Sequence, residues 1–153
     1  MVTIIATNKQ ALFDYDIIEK FDAGLVLSGQ EVKSVKGGHI NLKGSYVTLI
    51  GGEVWLLNAH ISLYKKASAV SDYDPYRSRK LLLNKREIEK LMGARATDGL
   101  TIVPISVYTN HSKIKVEIGI GRGRRKFEKR EVLKKRAIDR DIRATLKTKS
   151  HNT

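Results

Sequence analysis

Hydrophobic residues recur along this chain in short alternating runs, as is typical of β-strands whose side chains point to opposite faces of a sheet. The segment SYVTLIGGEVWLL predicts a hairpin with strands at 46–50 and 53–58, because Gly51 and Gly52 accept the positive φ values of a tight turn. The segment LTIVPISVYTNHSKIKVEIGIG predicts a second hairpin that turns at TNHS. Most of the body is therefore predicted to be β.

Glycine and proline positions add two details to the predicted strands. Residues 25–27 form a short apolar run between Gly24 and Gly29, which predicts a strand there. Within the second hairpin, Pro104 lacks a main-chain N–H and is expected at a sheet edge or a bulge.

Helical spacing interrupts the strands twice. In EVKSVKGG, residues 31–38, two valines stand three apart and Gly37 is the expected left-handed stop. A second helix is predicted to begin after Asn84, with Glu87 completing a capping box, and to end at Gly93. Its buried side is predicted to consist of Ile88, Leu91 and Met92.

These elements predict a mainly β fold with short helices: a small antiparallel barrel of OB-like type. The chain of 153 residues has the length of one domain. The barrel is assigned to residues 1–125 and a basic C-terminal tail to residues 126–153.

Positive charge is concentrated near the C-terminus. Residues 122–149 contain thirteen Lys and Arg and four Asp and Glu, so they carry +9 of the net charge of +13. Ile138, Ile142 and Leu146 recur at helical spacing, but this stripe is narrow and the cations around it repel one another. We expect a tail that is disordered alone and becomes helical when phosphates neutralise it. The alternative is a stable surface helix packed on the barrel.

Composition indicates a polyanionic partner. A pI near 10 fits RNA, DNA or an anionic membrane surface. Nucleic acid is favoured over a membrane, since Phe127 is the one aromatic residue of the tail. No apolar run approaches the length of a membrane span and no leader pattern opens the chain, so a cytoplasmic location is expected. The lack of cysteine excludes disulfides, thiolate metal sites and cysteine nucleophiles.

Motifs for catalysis are missing from the sequence. The two DYD triplets, at 14–16 and 72–74, are interpreted as a strand start and a turn opener. GIGRGRRK lacks the third glycine of a phosphate-binding loop, and its glycines are interpreted as a free exit from the barrel. We therefore expect a protein that is not an enzyme and that binds neither a cofactor nor a metal ion. The histidines, which are not spaced as metal ligands, are His39, His60, His111 and His151.

Basic and aromatic residues supply candidates for RNA binding. Arg77 and Arg79 stand two apart, so an extended chain points both the same way, where guanidinium groups can bind phosphates. A solvated loop is the alternative. Residues 81–83 are three leucines, which cannot all face one side of a strand. Tyrosines can stack on bases, or be core residues with satisfied hydroxyls: Tyr15, Tyr46, Tyr64, Tyr73 and Tyr76.

A series of motifs in a fixed order resembles a known family. They are NKQALFDY, FDAGLVLSGQEVKS, GSYVTLIGGEVWLLNAHISLY, DPYRSRKLLLNKREIEKL, GLTIVPISVY, KVEI and GRGRRKFEKRE. From Asn8 to about Arg143 the chain resembles the small protein B (SmpB) family, the tmRNA-binding (SsrA-binding) proteins of bacterial trans-translation.

The resemblance implies a function as well as an OB-like barrel. The family binds the tRNA-like domain of tmRNA without catalysing a reaction, and delivers it to stalled ribosomes for rescue and peptide tagging. Its tail becomes helical in the vacant mRNA channel. The implied partners are alanine-charged tmRNA, elongation factor Tu, and the 30S and 50S ribosomal RNA; a monomer is expected. A structural ribosomal protein that stays bound to rRNA is the alternative, since composition fits it equally well.

The resemblance also assigns residues. The residues assigned to tmRNA binding are Asn8, Tyr15, Asp22, Tyr46, Leu83 and Lys115, and Arg77, Arg79 and Lys80 add phosphate contacts. The residues assigned to the ribosomal decoding site are Arg124, Arg125, Lys126, Phe127, Glu128, Lys129, Arg130, Lys134, Lys135 and Arg136.

Three positions depart from the family pattern. Phe127 stands where the family often has His or Tyr, so a stacking ring is kept without polar function. Glu128 replaces an Asp, and Asp22 stands where Glu is common. Because phosphate repels a carboxylate, Asp22 is expected to bind a base or a ribose 2′-hydroxyl. Phe13 is a further stacking neighbour.

Overall fold

The computed structural model of the chain describes residues 2–64, 72–124, 128–131, 133–138 and 140. The chain divides into two compact units, residues 1–123 and residues 124–153. The described part of the first unit contains nine strands and three helices. In chain order these are β1 (Val2–Thr7), α1 (Lys9–Asp14), β2 (Tyr15–Leu25), α2 (Gly29–Lys36), β3 (Ile40–Asn41), β4 (Tyr46–Ile50), β5 (Glu53–Leu57), β6 (His60–Ile61), β7 (Arg79–Leu82), α3 (Lys85–Arg95), β8 (Leu100–Asn110) and β9 (Lys113–Gly123).

The main sheet is antiparallel and curled. Its strand order is β1-β8-β9-β2-β7-β5-β4, and β3 pairs with β6 in a separate small ladder. Strand β4 packs against β8 although four strands lie between them in the ladder, so the sheet bends round on itself. In the described ladders β1 and β4 remain edges, so main-chain pairing does not close the sheet into a complete barrel. The predicted mainly β, OB-like fold is confirmed.

Both predicted hairpins are present. Gly51 and Gly52 have φ values of 58° and 78° between β4 and β5. The β8–β9 turn is made by His111 and Ser112, which adopt left-handed φ values of 49° and 74° without being glycines. The register between β8 and β9 shifts just after Pro104, so of the two predicted settings for this proline the bulge is correct.

The strand predicted at 25–27 is misplaced, since β2 spans Tyr15–Leu25 and shares only Leu25 with it. The ladder of β2 with β9 runs from Tyr15 to Gly24, so that long-range pairing sets its length. Strand β1 and helix α1 were not predicted.

Helix α3 begins as predicted and ends later. The Asn84 side chain accepts a hydrogen bond from the Glu87 N–H at 2.9 Å, and the Glu87 side chain accepts one from the Asn84 N–H at 3.0 Å. The predicted stop at Gly93 is wrong, since a glycine inside a helix costs only about 1 kcal/mol and the last turn buries Ala94. Met92 is exposed, contrary to its predicted burial.

Helix α2 begins two residues before the predicted segment. Ser28 and Glu31 form a capping box that the sequence also contained as SGQE. The left-handed residue after the helix is Gly38, with a φ of 85°, and not the predicted Gly37, which has a φ of −79°.

Two of the three glycines of GIGRGRRK, Gly119 and Gly121, have a packing role. A Cβ on Gly119 would lie 2.8 Å from Ile105 Cδ1 and 2.9 Å from Ile17 Cγ2. A Cβ on Gly121 would lie 2.9 Å from Tyr15 Cβ. The interpretation of these residues as a free exit is therefore wrong: they belong to β9 and allow side chains of neighbouring strands to lie across it.

In the second unit, the described residues 128–131, 133–138 and 140 are helical. Glu131 and Lys134 form an ion pair of 3.8 Å one turn apart, and Ile138 is exposed. Ile142 and Leu146, the other members of the predicted stripe, lie outside the described residues. The disorder of the free tail stays a prediction. Within the described chain, no helix has both the length and the apolar character needed to cross a membrane.

Candidate nucleic-acid interface

Four adjacent strands present a mixed basic and apolar surface, which we call the outer sheet face. Its side chains alternate with core residues: in β2, Lys20 and Asp22 point outward, while Phe21 and Ala23 are buried. The same alternation in the neighbouring strands adds outward side chains to this face. They are Lys80 and Leu82 of β7, Tyr108 of β8, and Lys115 and Glu117 of β9.

Strand register brings these side chains into one patch. Lys115 pairs with Gly24 on one side and with Tyr108 on the other, and Gly24 pairs in turn with Leu82. Asp22 pairs with Glu117 in the adjacent row. The predicted RNA-binding residues Asp22 and Lys115 are therefore close neighbours, although they are 93 positions apart in the chain.

The apolar member of the patch is Leu82. Its side chain is 54% exposed, whereas Leu81 is buried and Leu83 packs partly against the core. The alternation of β7 makes Leu82 its outward leucine. Leu83, the leucine predicted to contact RNA, follows the strand and is half-buried, and its RNA contact stays a prediction. Leu82 and Lys115 border an open groove of about 330 Å³.

Two polar contacts order the acidic part of the outer sheet face. The Tyr108 hydroxyl donates a hydrogen bond of 2.7 Å to Asp22 Oδ1, and Lys20 lies 3.8 Å from Glu117. Burial raises the pKa of the Tyr108 hydroxyl above its usual range, and the hydrogen bond to Asp22 raises it further. Tyr108 therefore remains a hydrogen-bond donor to Asp22 at neutral pH.

A second group of predicted residues lines a cleft at the start of β2. Asn8, Tyr15 and Tyr46 border this tyrosine cleft, whose volume is about 220 Å³. Tyr46 is 51% exposed, so its ring is available for stacking. Tyr15 and Asp22 are seven positions apart in one strand, so the cleft and Asp22 are separated by about 23 Å along β2.

Asn8 is a capping residue and not an open RNA ligand. Its side chain is buried, accepts a hydrogen bond of 3.2 Å from the Ala11 N–H, and donates one of 3.0 Å to the Pro104 carbonyl. The predicted role of the Asn8 amide in RNA contact is corrected accordingly, since both polar atoms already have protein partners. Asn8 fixes helix α1 beside the tyrosine cleft.

The two arginines predicted to bind phosphate bind Glu31 instead. Arg79 is 0% exposed and donates to Glu31 Oε2 from both Nε, at 3.0 Å, and Nη2, at 2.6 Å. Arg77 donates to Glu31 Oε1. The arginines do point the same way, as predicted, but toward the interior, so that phosphate binding by Arg79 is wrong; the Arg77 side chain remains 40% exposed.

This buried network changes the pKa of the Glu31 carboxyl group. Burial alone would raise the pKa of Glu31, but hydrogen bonds from Arg77, from the Ser28 main chain and from Arg79 lower it to about 2. The Tyr73 hydroxyl completes the network. It donates a hydrogen bond of 2.7 Å to the Ile61 carbonyl and lies 3.3 Å from Glu31 Oε2. Tyr73 is thus a half-buried tyrosine with a satisfied hydroxyl.

The remaining barrel candidates are at the surface. Lys80 contacts Glu53 at 3.2 Å in an exposed pair. Tyr76 is exposed and its ring meets His60 edge-on at 4.9 Å. Lys33 lies 5.7 Å above the ring of Tyr64.

The tail candidates divide into described and undescribed residues. The described ones other than Arg124 lie in the helical segments: Glu128, Lys129, Arg130, Lys134, Lys135 and Arg136. Arg125, Lys126 and Phe127 lie outside the described residues. Among the residues that the structure describes, no three His, Asp or Glu side chains are grouped to hold a metal ion.

Four residues of the outer sheet face were not predicted from the sequence: Lys20, Leu82, Tyr108 and Glu117. Strand alternation was the available signal for Lys20, Leu82 and Glu117, because each stands two positions from a predicted residue of its own strand. Tyr108 has no such neighbour in β8 and lies directly opposite Lys115 of β9. To place Tyr108 on this face, one must know the bulge after Pro104 and the register of β8 against β9. The sequence alone does not give this register.

A curled antiparallel sheet whose outer face carries lysines, tyrosine and an exposed leucine, in a chain of net charge +13, defines a nucleic-acid-binding β-barrel protein. The model of the SmpB protein family matches residues 5–148. The chain therefore belongs to the SmpB family, as its motifs predicted.

Individual relatives agree with this family. An SsrA-binding protein of Sulfurihydrogenibium sp. is 50% identical over 146 residues, covering 95% of both chains. An SsrA-binding protein of Persephonella marina is 47% identical over 148 residues, covering 97% of both. A solved structure described as "tmRNA-SmpB: a journey to the center of the bacterial ribosome" aligns with a TM-score of 0.65 and 39% identity, covering 84% of this chain and 93% of that one.

Proposed function

We propose that this protein is an RNA-binding adaptor of trans-translation: it binds the tRNA-like domain of tmRNA and delivers it to stalled ribosomes. The observation that carries the proposal is the outer sheet face, where Asp22, Lys115 and Leu82 meet in a chain whose relatives are SsrA-binding proteins. SsrA RNA is tmRNA. Catalysis has no part in this function.

The barrel binds a folded RNA by two kinds of contact. Lys80 and Lys115 attract phosphates, while Leu82 and Tyr46 offer apolar and aromatic surface to unstacked bases. Side chains cannot reach base edges in the deep groove of A-form RNA, so shape and 2′-hydroxyl contacts carry most of the selectivity. The 23 Å or so between Asp22 and the tyrosine cleft lets one RNA molecule contact both.

The tail, residues 126–153, binds ribosomal RNA through its charge. Cations at Lys129, Arg130, Lys134, Lys135 and Arg136 displace counterions from phosphates, and folding accompanies binding. The vacant mRNA channel of a stalled ribosome is its binding place, with the ring of Phe127 available to stack on a base. The described tail residues are helical, which is the conformation proposed for the bound tail.

The further partners follow from the same function. The protein acts as a monomer in the cytoplasm, and alanine-charged tmRNA brings elongation factor Tu into the complex. Size-exclusion chromatography of the protein alone, and with charged tmRNA and elongation factor Tu, tests the monomer and the larger complex.

Deletion of residues 126–153 tests whether the barrel binds tmRNA while the tail binds ribosomal RNA. We expect the truncated protein to bind the tRNA-like domain with nearly unchanged affinity in a gel-shift assay, and to support no peptide tagging on stalled ribosomes. Equal loss of both activities would contradict the proposal. Stoichiometric co-sedimentation of the full chain with idle, intact ribosomes would instead favour a structural ribosomal protein.

A further inference from the structure

Tyr108 and Asp22 form a hydrogen bond across an intervening strand. Tyr108 lies in β8 and Asp22 in β2, and β9 runs between them. The distance from Tyr108 Oη to Asp22 Oδ1 is 2.7 Å, the usual length for a hydroxyl donating to a carboxylate. The contact joins residues 86 positions apart in the chain.

The setting of this bond indicates a role beyond folding. Asp22 is exposed, so water could satisfy its carboxylate without Tyr108. The hydrogen bond instead restricts a carboxylate that would otherwise rotate freely, and fixing a group before binding reduces the entropy lost when a ligand is bound. The ordered carboxylate lies in the middle of the outer sheet face, between Lys20 and the groove bordered by Leu82 and Lys115.

The free side of this carboxylate can only accept hydrogen bonds. An ionised Asp has two acceptor oxygens, and Tyr108 occupies one site on Oδ1. Glu117, the direct cross-strand neighbour of Asp22, adds a second negative charge that is partly balanced by Lys20 at 3.8 Å. A phosphate is repelled here, whereas a neutral hydrogen-bond donor is attracted.

We propose that Tyr108 is a positioning residue for RNA recognition: its hydroxyl holds the Asp22 carboxylate in the orientation that accepts a hydrogen bond from a ribose 2′-hydroxyl or a base amino group. This inference rests on the proposed tmRNA-binding function. It adds a residue that does not itself need to touch the RNA.

A double-mutant cycle tests the proposal with full-length protein and the tRNA-like domain of tmRNA. We expect Y108F to weaken binding about 3- to 10-fold, the usual effect of one lost hydrogen bond to a binding group. D22N should weaken it at least as much, and Y108F should have no further effect in the D22N background. Binding of Y108F within twofold of the natural chain, or additive effects of the two changes, would overturn the proposal.

Tyr76 provides the matched control. It is an exposed tyrosine that does not contact Asp22, so Y76F removes the same atom without touching Asp22 and keeps the aromatic ring that a stacking contact would use. We expect Y76F to bind like the natural chain, and thermal unfolding to place all variants within a few degrees of it. If Y108F unfolds early, the cycle is replaced by the ¹³C signal of the Asp22 carboxyl in the folded fraction, which should shift in Y108F and stay unchanged in Y76F. An unshifted signal in Y108F would overturn the proposal.

Modified RNAs distinguish the two donor sources. One set of tRNA-like domains carries scattered 2′-deoxynucleotides, and the other carries bases that lack an exocyclic amino group. At one position, a substitution should weaken binding of the natural chain but not of D22N, and the set containing that position identifies the donor. If neither set has such a position, the positioning role is wrong. If the natural chain does not prefer the tRNA-like domain to an ordinary tRNA of equal length, the proposed function itself fails.

Discussion

Glu31 and Arg79 form a fully buried ion pair that links α2 to β7 across 48 positions of the chain. Both side chains are 0% exposed, and the pair has further partners in Arg77, Tyr73 and the Ala59 carbonyl, which Arg79 Nη1 contacts at 2.6 Å. Every charge in this network therefore has a partner, which is the condition for a buried charge to be tolerated. The same network holds the segment from Tyr73 to Arg77 against the barrel.

Removal of the Glu31 charge should destabilise the protein strongly. In E31Q the Arg79 guanidinium remains buried without its counterion, a change that typically costs about 3–5 kcal/mol. Urea unfolding at pH 7 measures the free energy difference. E53Q is the control: Glu53 contacts Lys80 at the surface, and its loss should change stability by less than about 1 kcal/mol. Equal effects of the two substitutions would show that the buried pair has no special role.

Stability should also depend on pH through Glu31. Its pKa in the folded protein is about 2, below the ordinary value of 4.5, so the folded state holds its proton less tightly than the unfolded state. The resulting stabilisation is complete above about pH 4.5 and is lost as pH falls toward 2, amounting to roughly 3 kcal/mol. The difference in unfolding free energy between the natural chain and E31Q should therefore shrink between pH 5 and pH 2.5. A difference that is constant over this range would contradict the assignment.

The sequence predicted those features that depend on neighbouring residues. The Gly51–Gly52 turn and the Asn84 capping box are such features, since a turn or a cap is specified within four residues. Arg79 was misread because its partner, Glu31, is 48 positions away and only the fold shows that they meet. The exposure of Leu82 was not predicted for a related reason: the alternation of β7, which depends on its pairing in the sheet, decides which leucine points outward.

Gly121 should be required for the shape of the tyrosine cleft. A Cβ at this position would lie 2.9 Å from Tyr15 Cβ, which is too rigid an atom to move without shifting β2. We expect G121A to weaken binding of the tRNA-like domain about tenfold or more and to lower stability by about 1–3 kcal/mol. Fluorescence anisotropy and urea unfolding measure the two effects. Gly123, two residues on, faces open space, so G123A should leave both unchanged; matching behaviour of the two variants would exclude a special role for Gly121.

Salt dependence should identify the cations of the outer sheet face. Each phosphate neutralised by a lysine contributes nearly one unit to the slope of log affinity against log salt concentration. K80Q and K115Q should each reduce the slope for the tRNA-like domain by about 0.7–0.9. K90Q is the control, because Lys90 belongs to α3, which packs on the core through Leu91, and is held 3.0 Å from Glu19. Slopes that do not distinguish K115Q from K90Q would remove Lys115 from the interface.

The tail should gain helix when its charge is neutralised. Its described residues are helical, but the stripe that begins with Ile138 is narrow, and in the free protein the cations repel one another at low salt. The far-ultraviolet circular dichroism of the full chain minus that of the chain lacking residues 126–153 should show little helix in low salt. Addition of an RNA fragment of the ribosomal decoding site should raise it, since phosphates remove the repulsion and the helix then forms on the bound surface. A difference spectrum that is strongly helical before RNA is added would mean that the tail is preformed, and its entry into the ribosome would then involve docking without folding.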